Sequence, residues 1–258
     1  MSRTATASRA ALLLVLLLPQ VAAAFSITVT DGLTSQVNRW NLSRVAWRQH
    51  VDCAAGMDLT ECQKAVAESF AAWTGHSCSS LVFDEGANTD NLLVAANGWA
   101  PNGENEVVWV EDSTWLFGSF VLANTSQLLG DTGLIEEVDI AFNGFHHTWS
   151  ATPGPGGVAI QNTAVHEIGH LLGLAHNLAP DDPNDPPTMA VYADESQKSA
   201  TLHPDDIAGL CFLVPKTQYT CATDADCPDV IGFDGGNQVV TSHFSCWNSG
   251  FCEGYPMT

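Results

Sequence analysis

The residues that could do chemistry lie in one short segment, HEIGHLLGLAH, which begins at His166. His166 and His170 are four positions apart, so on a helix both imidazoles share one face and can reach a single metal ion. Gly173 allows the helix to stop and the chain to turn, so that His176 can return as a third ligand. Three neutral nitrogen ligands with a fourth position open to water are typical of catalytic zinc. Glu167 is placed to take a proton from that water.

The segment has a competing interpretation, in which the histidines are ordinary members of a buried helix. Its other residues are mostly apolar, among them Ile168, Leu171 and Leu174. Three histidines buried among such side chains without polar partners would be costly. The pattern therefore favours a metal site, with the three histidines as ligands and Glu167 as the catalytic base.

Other segments supply the elements that would hold this site in place. Residues 60–73 have apolar side chains at helical spacing, and Thr60 with Gln63 makes a capping box, so an amphipathic helix is predicted. A glycine-rich break at 154–157 precedes the helix that carries His166. Short β-rich runs between Gly, Asn and Asp turns predict the strands of a small mixed sheet, at residues 40–49, 92–96, 107–110, 119–123 and 138–142.

A closing helix is predicted from Pro204. Proline suits the first turn of a helix, and Asp205 and Asp206 favour the positive end of the helix dipole. Its predicted buried stripe is Ile207, Leu210, Cys211 and Val214. The helices and strands together predict the α+β class.

Residues 188–190, which begin twelve positions after His176, read Thr-Met-Ala. They are similar to the methionine turn of the metzincins, a clan of zinc endopeptidases. The resemblance implies that Met189 packs beneath the zinc ligands. The alternative, that Met189 is an ordinary core residue, is disfavoured by its position relative to His176.

Within that clan the chain resembles the matrixins over most of residues 38–214. Besides the histidine segment, the likeness is carried by Arg39-Trp40, the helix at 60–73, the run VDIAFN, Thr163-Ala164-Val165 and the run DDIAGL. The resemblance implies a metzincin-type catalytic domain with a twisted mixed sheet, an active-site helix and a closing C-terminal helix. It also implies zinc endopeptidase activity, and an edge strand at 119–123 that pairs with an extended substrate.

Several departures from the matrixin pattern change what is expected. Matrixins usually have a structural-zinc histidine two residues after the aspartate that corresponds to Asp139, and Ala141 stands there, so one catalytic zinc is predicted. Asn177 follows the third histidine, where Ser or Thr is usual. The usual Pro-x-Tyr after the methionine turn is missing, although Tyr192 could take its role. No Pro-Arg-Cys-Gly propeptide switch is present, so the resemblance supplies no latency mechanism.

Two further groups of residues could bind metal. His146 and His147 either bind a metal or are solvated, and solvation is the usual state of adjacent loop histidines. Asp181, Asp182 and Asp185 either bind calcium through carboxylate oxygens or form a solvated acidic loop. Their spacing does not match an EF-hand, so the solvated loop is favoured and calcium stays unsupported.

The composition excludes several classes of protein. The chain has 258 residues, 45% of them hydrophobic, with 8 basic residues against 29 acidic ones and a net charge of −21. Such a charge repels the phosphates of nucleic acids and anionic membrane surfaces, so neither is an expected partner. The apolar content is too high for a disordered chain. No segment after the leader is long and apolar enough to span a membrane.

The N-terminus predicts export. Arg3 and Arg9 precede a short apolar run and a small-residue cleavage site, so residues 1–24 are predicted to be a cleaved signal peptide. A membrane anchor is the alternative, but the run is far shorter than the roughly 20 residues needed to span a bilayer. The mature chain is therefore expected to be secreted. Asn41 and Asn124 begin N-glycosylation patterns, which matter only in a host that glycosylates.

Eight cysteines in an exported chain predict disulfides. One group lies in the main body, at Cys53, Cys62, Cys78 and Cys211, and the other in the last residues, at Cys221, Cys227, Cys246 and Cys252. Each group allows three pairings. The second group predicts a disulfide-rich module at 218–258, here called the tail, after a catalytic domain at 25–217. A four-cysteine zinc site is disfavoured because its pairs are too widely spaced, and no ligand is assigned to the tail.

The sequence thus predicts a secreted zinc endopeptidase that acts on protein or peptide substrates. One alternative is a non-catalytic zinc protein that binds peptides through the same cleft or through the tail. Glu167 argues against it, because a pure binding site needs no base there. A zinc hydrolase of small molecules is a weaker alternative, because the resembling clan is proteolytic.

Overall fold

The computed structural model describes residues 25–29, 37–92, 101–130, 133–178, 185–191, 200–216 and 223, and the backbone of 229–233, 239–246 and 252–255. Its strands and helices are, in chain order, β1 (Ser26–Thr28), β2 (Arg44–Gln49), α1 (Leu59–Ala72), β3 (Val82–Glu85), β4 (Glu106–Val110), β5 (Ala123–Leu129), β6 (Ile135–Asn143), β7 (Trp149–Ser150), β8 (Val158–Ala159), α2 (Ile160–Leu172), β9 (Leu174–Ala175), α3 (Pro204–Leu213), β10 (Asp229–Phe233), β11 (Val239–Cys246) and β12 (Cys252–Tyr255). The predicted α+β class is confirmed.

The main sheet has five strands in the order β3-β2-β4-β6-β5. The first four run parallel to one another, and β5 runs antiparallel to β6 at one edge. Strand β4 reads EVVWV and is buried along its whole length, as expected for a central strand covered on both faces. The predicted strands at 107–110 and 138–142 are confirmed.

The predicted edge strand at 119–123 is wrong in position, because β5 begins only at Ala123. The two preceding residues are not part of the strand, but both bond to Asn143, the last residue of β6. The Val121 carbonyl accepts a hydrogen bond from Asn143 Nδ2 at 2.8 Å, and the Leu122 carbonyl accepts one from the Asn143 backbone N–H at 2.9 Å. The strand predicted at 40–49 likewise begins later, at Arg44. Of the strand predicted at 92–96, only its first residue is described, outside any strand, and residues 93–96 lie outside the described part.

Helix α1 matches the predicted range 60–73 to within one residue at each end, but it begins differently. Asp58, not Thr60, is the N-cap: it has extended backbone angles, and its carboxylate accepts a hydrogen bond from the Glu61 N–H at 3.0 Å. The predicted capping box is therefore wrong. Aspartate is at least as good an N-cap as threonine, and its negative charge lies at the positive end of the helix dipole.

The core joins α1 both to the sheet and to α2. Phe70 of α1 stacks on Trp47 of β2 with ring centroids 3.7 Å apart. Trp73, fully buried at the end of α1, donates its indole N–H to the Val165 carbonyl of α2 at 3.0 Å. This bond satisfies the one polar group of a large buried ring, and it fixes the position of α2 against α1.

Helix α3 begins at Pro204 as predicted, and its buried face is partly as predicted. Leu210, Cys211 and Val214 are buried, whereas Ile207 is only half-buried. Leu213 is buried on this helix as well.

A second sheet links the tail to the body through backbone pairing, in the order β12-β11-β10-β1-β9. Strand β1 pairs in parallel with β10 of the tail and antiparallel with β9. The side chains of Cys246 and Cys252, and the residues Cys221 and Cys227, lie outside the described part, so the disulfides expected in the tail remain a prediction.

Two disulfides connect the body cysteines, and they select one of the three possible pairings. Cys53 pairs with Cys62, nine positions away, and this bond is called the short-range disulfide. Cys78 pairs with Cys211, 133 positions away, and this bond is called the long-range disulfide. The second bond ties the segment after α1 to α3.

In the part of the chain that the structure describes, no helix has the length and apolar character needed to cross a membrane. The predicted signal peptide at 1–24 lies outside that part.

Candidate active site

Helix α2 carries the first half of the candidate site and ends where the second half begins. His166, Glu167 and His170 all lie on α2, and Gly173 caps its end with φ 105°. That left-handed conformation favours glycine. A β-carbon at Gly173 would also overlap the carbonyl oxygen of Asn38. Glycine is therefore required at this position for two reasons. The chain turns there, as the sequence predicted, and continues through β9 to His176.

The three predicted histidines meet at one point. The Nε2 atoms of His166, His170 and His176 are 3.1 Å from one another in all three pairs. Zinc with four tetrahedral ligands and Zn–N distances of about 2.0–2.1 Å separates its ligand atoms by about 3.3–3.4 Å. The three nitrogens are thus spaced as ligands of one ion. Among the described residues, no other group of histidine, cysteine or acidic side chains is clustered in this way.

Backbone carbonyls orient two of these rings. The Nδ1 atom of His166 lies 2.7 Å from the Thr188 carbonyl oxygen, and that of His170 lies 2.8 Å from the Leu174 carbonyl oxygen. A carbonyl only accepts hydrogen bonds, so each Nδ1 carries the proton. Nε2 is then left with a free lone pair, which is the form a metal requires.

The environment also keeps the rings of His170 and His176 neutral. Burial, followed by the proximity of His166 and His176, lowers the pKa of His170 well below its usual value. Partial burial and the nearby His166 lower the pKa of His176 to about 4. At neutral pH, protons therefore do not compete for these nitrogens.

Glu167 lies beside the histidines and is buried, with 7% of its surface exposed. Burial raises the pKa of its carboxyl group, while His166 and a hydrogen bond from Thr125 act in the opposite direction. The Thr125 hydroxyl lies 2.6 Å from Glu167 Oε2. Sequence reasoning missed Thr125, because it lies 42 positions before Glu167 and no local pattern links the two.

Met189 packs under α2. It is 3% exposed, and its Sδ atom fills the space that a β-carbon of Gly169 would occupy. Its carbonyl accepts a hydrogen bond from the Asn177 N–H at 2.7 Å. Residues 188–190, here called the Met turn, are therefore attached to the segment that follows His176.

Asp206 holds the Met turn from the other side. Its carboxylate is almost fully buried and accepts backbone hydrogen bonds from Thr188 at 2.8 Å and Met189 at 3.1 Å. It also accepts one from the His203 N–H at 2.9 Å, within a capping box at the start of α3. The sequence suggested only a helix-dipole role for this residue.

A cleft of about 790 Å³ runs along β5 and opens onto the histidines. One wall is the β5 segment, including Asn124, Thr125 and Gln127. Phe120, at the rim, is 96% exposed, and its neighbour Val121 is 37% exposed. The cleft therefore combines a polar strand edge with an apolar rim.

The remaining residues singled out in the sequence are not part of the cluster of three histidines, or lie outside the described residues. Ala141 is fully buried in β6. His146 Nδ1 lies 3.1 Å from Asn143 Oδ1, and His147 Nε2 lies 2.9 Å from the Ser119 carbonyl oxygen. Asp185 is exposed, whereas Asp181, Asp182 and Tyr192 lie outside the described residues.

The chain is similar to a known protein family. The model of the family described as Matrixin matches residues 39–213, more than half of the chain. The match spans the main sheet, α2 and all of α3. No curated protein matches the chain.

Proposed function

The chain belongs to the matrixin family of metalloproteases, and from this premise we propose that it is a secreted zinc endopeptidase that cleaves extended protein segments. The resemblance seen in the sequence and the metzincin-type fold agree with this membership. The observation that carries the proposal is the convergence of three histidine Nε2 atoms, each 3.1 Å from the others, beside the buried Glu167.

His166, His170 and His176 would hold the zinc ion. When bound, zinc polarises the scissile carbonyl and lowers the pKa of a bound water towards neutrality. The Nδ1 bonds of His166 and His170 to backbone carbonyls keep both rings in the required tautomer. This rigid arrangement supports a site that is ready for metal without rearrangement.

Glu167 would act as the general base and then as the general acid. Its carboxylate accepts the proton of the attacking water and passes it to the nitrogen of the leaving amine, so the proton is conserved over the reaction. Burial raises the pKa of the carboxyl group, which favours this exchange near neutral pH.

The substrate would lie along β5. This strand is at the edge of the main sheet and, within the described part of the chain, pairs only with β6, so its other side can pair with an extended peptide. Since β5 is Ala123–Leu129, this pairing would lie along that range rather than at residues 119–123. Phe120 and Val121 at the rim would contact apolar side chains of the peptide.

Secretion is supported by two features of the chain. Residues 1–24 have the composition of a signal peptide. The short-range and long-range disulfides require an oxidising compartment to persist. The tail would be exported with the catalytic domain.

Casein cleavage by the purified mature chain tests this function. The wild type is expected to make internal cuts that disappear after chelation and in Glu167→Ala, while Glu167→Ala keeps one equivalent of zinc. Glu136→Ala is the matched control, because Glu136 is an exposed glutamate of β6 that does not line the cleft. Its activity should equal that of the wild type.

Two results would count against the proposal. A wild type that binds one zinc but leaves every protein intact would support the non-catalytic peptide-binding alternative. Cleavage that survives in Glu167→Ala would remove Glu167 from the reaction.

A further inference from the structure

Two side chains of β5 reach towards α2, and they do so differently. Gln127 Nε2 donates to the His170 carbonyl oxygen at 2.6 Å, which is a bond to the helix backbone. Thr125 Oγ1 lies 2.6 Å from a side-chain oxygen of Glu167, and 3.1 Å from the carbonyl oxygen of the same residue. Ser126, between them, bonds instead to Asn124 Oδ1 at 2.9 Å.

The two distances decide which bond the Thr125 hydroxyl makes. A hydroxyl has one hydrogen, so it donates to one oxygen at a time. Hydrogen bonds from O–H to a carboxylate are typically 2.5–2.7 Å long and are stronger than bonds to a neutral carbonyl. The bond to Glu167 Oε2, at 2.6 Å, is therefore the dominant one.

We propose that Thr125 is a positioning residue for Glu167, whose hydroxyl holds one carboxylate oxygen so that the other is presented for proton transfer. The inference rests on the proposed function, because it assigns Thr125 a role in that reaction. A carboxylate on a freely rotating side chain would spend part of its time turned away, and catalysis depends on a base held within hydrogen-bond reach.

The strand is attached to the helix without this bond. Gln127 already joins β5 to the α2 backbone. The Thr125 bond instead ends on the side chain of the base. A role in orienting that side chain therefore explains a contact that strand attachment alone does not require.

Three variants separate positioning from structure. Thr125→Val keeps the shape but lacks the hydroxyl, and Thr125→Ser keeps the hydroxyl. Thr152→Val is the matched control, because Thr152 is an exposed threonine that does not line the cleft. We expect Thr125→Val to lower kcat about 10- to 100-fold, as for the loss of a hydrogen bond to a charged group. KM, zinc content and melting temperature should stay close to wild-type values. Thr125→Ser should restore most of kcat, and Thr152→Val should leave it unchanged.

A second measurement does not depend on activity. In crystal structures of the zinc-loaded proteins, Glu167 should have one ordered carboxylate orientation in the wild type and Thr125→Ser, and a displaced or divided one in Thr125→Val. An ordered, unmoved Glu167 in Thr125→Val would overturn the inference. So would a kcat that stays within twofold of wild type, or equal losses in the valine and serine variants. If the wild type cuts no protein, the proposed function fails, and the crystal structures still decide whether Thr125 orients Glu167.

Discussion

The close contact between Gly169 and Met189 allows a test of how tightly the Met turn packs under α2. A β-carbon at Gly169 would overlap Met189 Sδ and lie 3.1 Å from Trp73 Cζ2. Gly169 is inside α2, where alanine would otherwise be the better helix former. The substitution Gly169→Ala should therefore have two opposite effects on the free energy of unfolding: it stabilises the helix, and it overpacks the core.

The two terms have known sizes. Replacing glycine by alanine inside a helix contributes about 1 kcal/mol of stability. Forcing an extra methyl group into a packed core costs about 1–3 kcal/mol. With a central value of about 2 kcal/mol for the overlap, Gly169→Ala should lower the free energy of unfolding by about 1 kcal/mol.

Shortening Met189 should reverse the sign. Met189→Ala alone should cost about 2–5 kcal/mol, because Met189 is buried. With the Met189 side chain shortened, only the contact with Trp73 Cζ2 at 3.1 Å remains, and Gly169→Ala should then stabilise the protein by up to about 1 kcal/mol. The coupling free energy between the two positions is therefore up to about 2 kcal/mol.

Urea unfolding of the wild type, both single variants and the double variant measures this coupling. Zinc-loaded and chelated samples should be compared, because His170 follows Gly169 directly and a shifted helix would also weaken zinc binding. Gly154→Ala is the control, since a β-carbon there meets no atom within 4 Å. If Gly169→Ala has the same effect with and without the Met189 side chain, the Met turn does not pack against α2 as described.

Three other expectations follow from the fold and the site. Replacing both cysteines of the long-range disulfide by alanine should lower the free energy of unfolding by about 5 kcal/mol, and the same change in the short-range disulfide by about 2.5 kcal/mol, because loops of 133 and 9 residues differ in closure entropy. Urea unfolding of the two double variants measures both values, and the reverse order would contradict this expectation. The folded pKa of His176, about 4, lies below its unfolded value near 6.5, so the unfolded chain binds more protons than the folded chain between these two pH values. The zinc-free protein should therefore lose stability as the pH falls from 6.5 to 4. The dependence of its melting temperature on pH should be weaker in His176→Gln. Asp206→Asn should lower the free energy of unfolding by about 1–3 kcal/mol and weaken zinc binding, because an amide cannot accept all three backbone hydrogen bonds that the buried carboxylate accepts. Urea unfolding and zinc titration measure the two effects, and both should be smaller in the control Asp205→Asn.

Features that depend on local spacing could be predicted from the sequence. The separation of His166 and His170 by four positions fixes their common face on a helix, and Gly173 marks the turn. The buried run in β4 has the apolar character of a central strand. In each case the determining residues are close together in the chain.

Features that depend on tertiary contacts or on competing local signals could not be predicted from the sequence. Thr125 reaches Glu167 across a strand–helix interface, and nothing near either residue indicates the pairing. Asp58 and Thr60 are both good N-caps, two positions apart, and the sequence does not rank them. The role of Asp206 depends on the Met turn folding back onto α3, which only the assembled structure reveals.

The position of Asn124 has a consequence for how the protein should be produced. Asn124, Thr125 and Ser126 form an N-glycosylation pattern, and Asn124 lines the cleft on β5. A glycan attached there would occupy the space next to the substrate strand. A bacterial expression host without this modification is therefore the appropriate source of active material, and yeast or mammalian cultures would require Asn124→Gln.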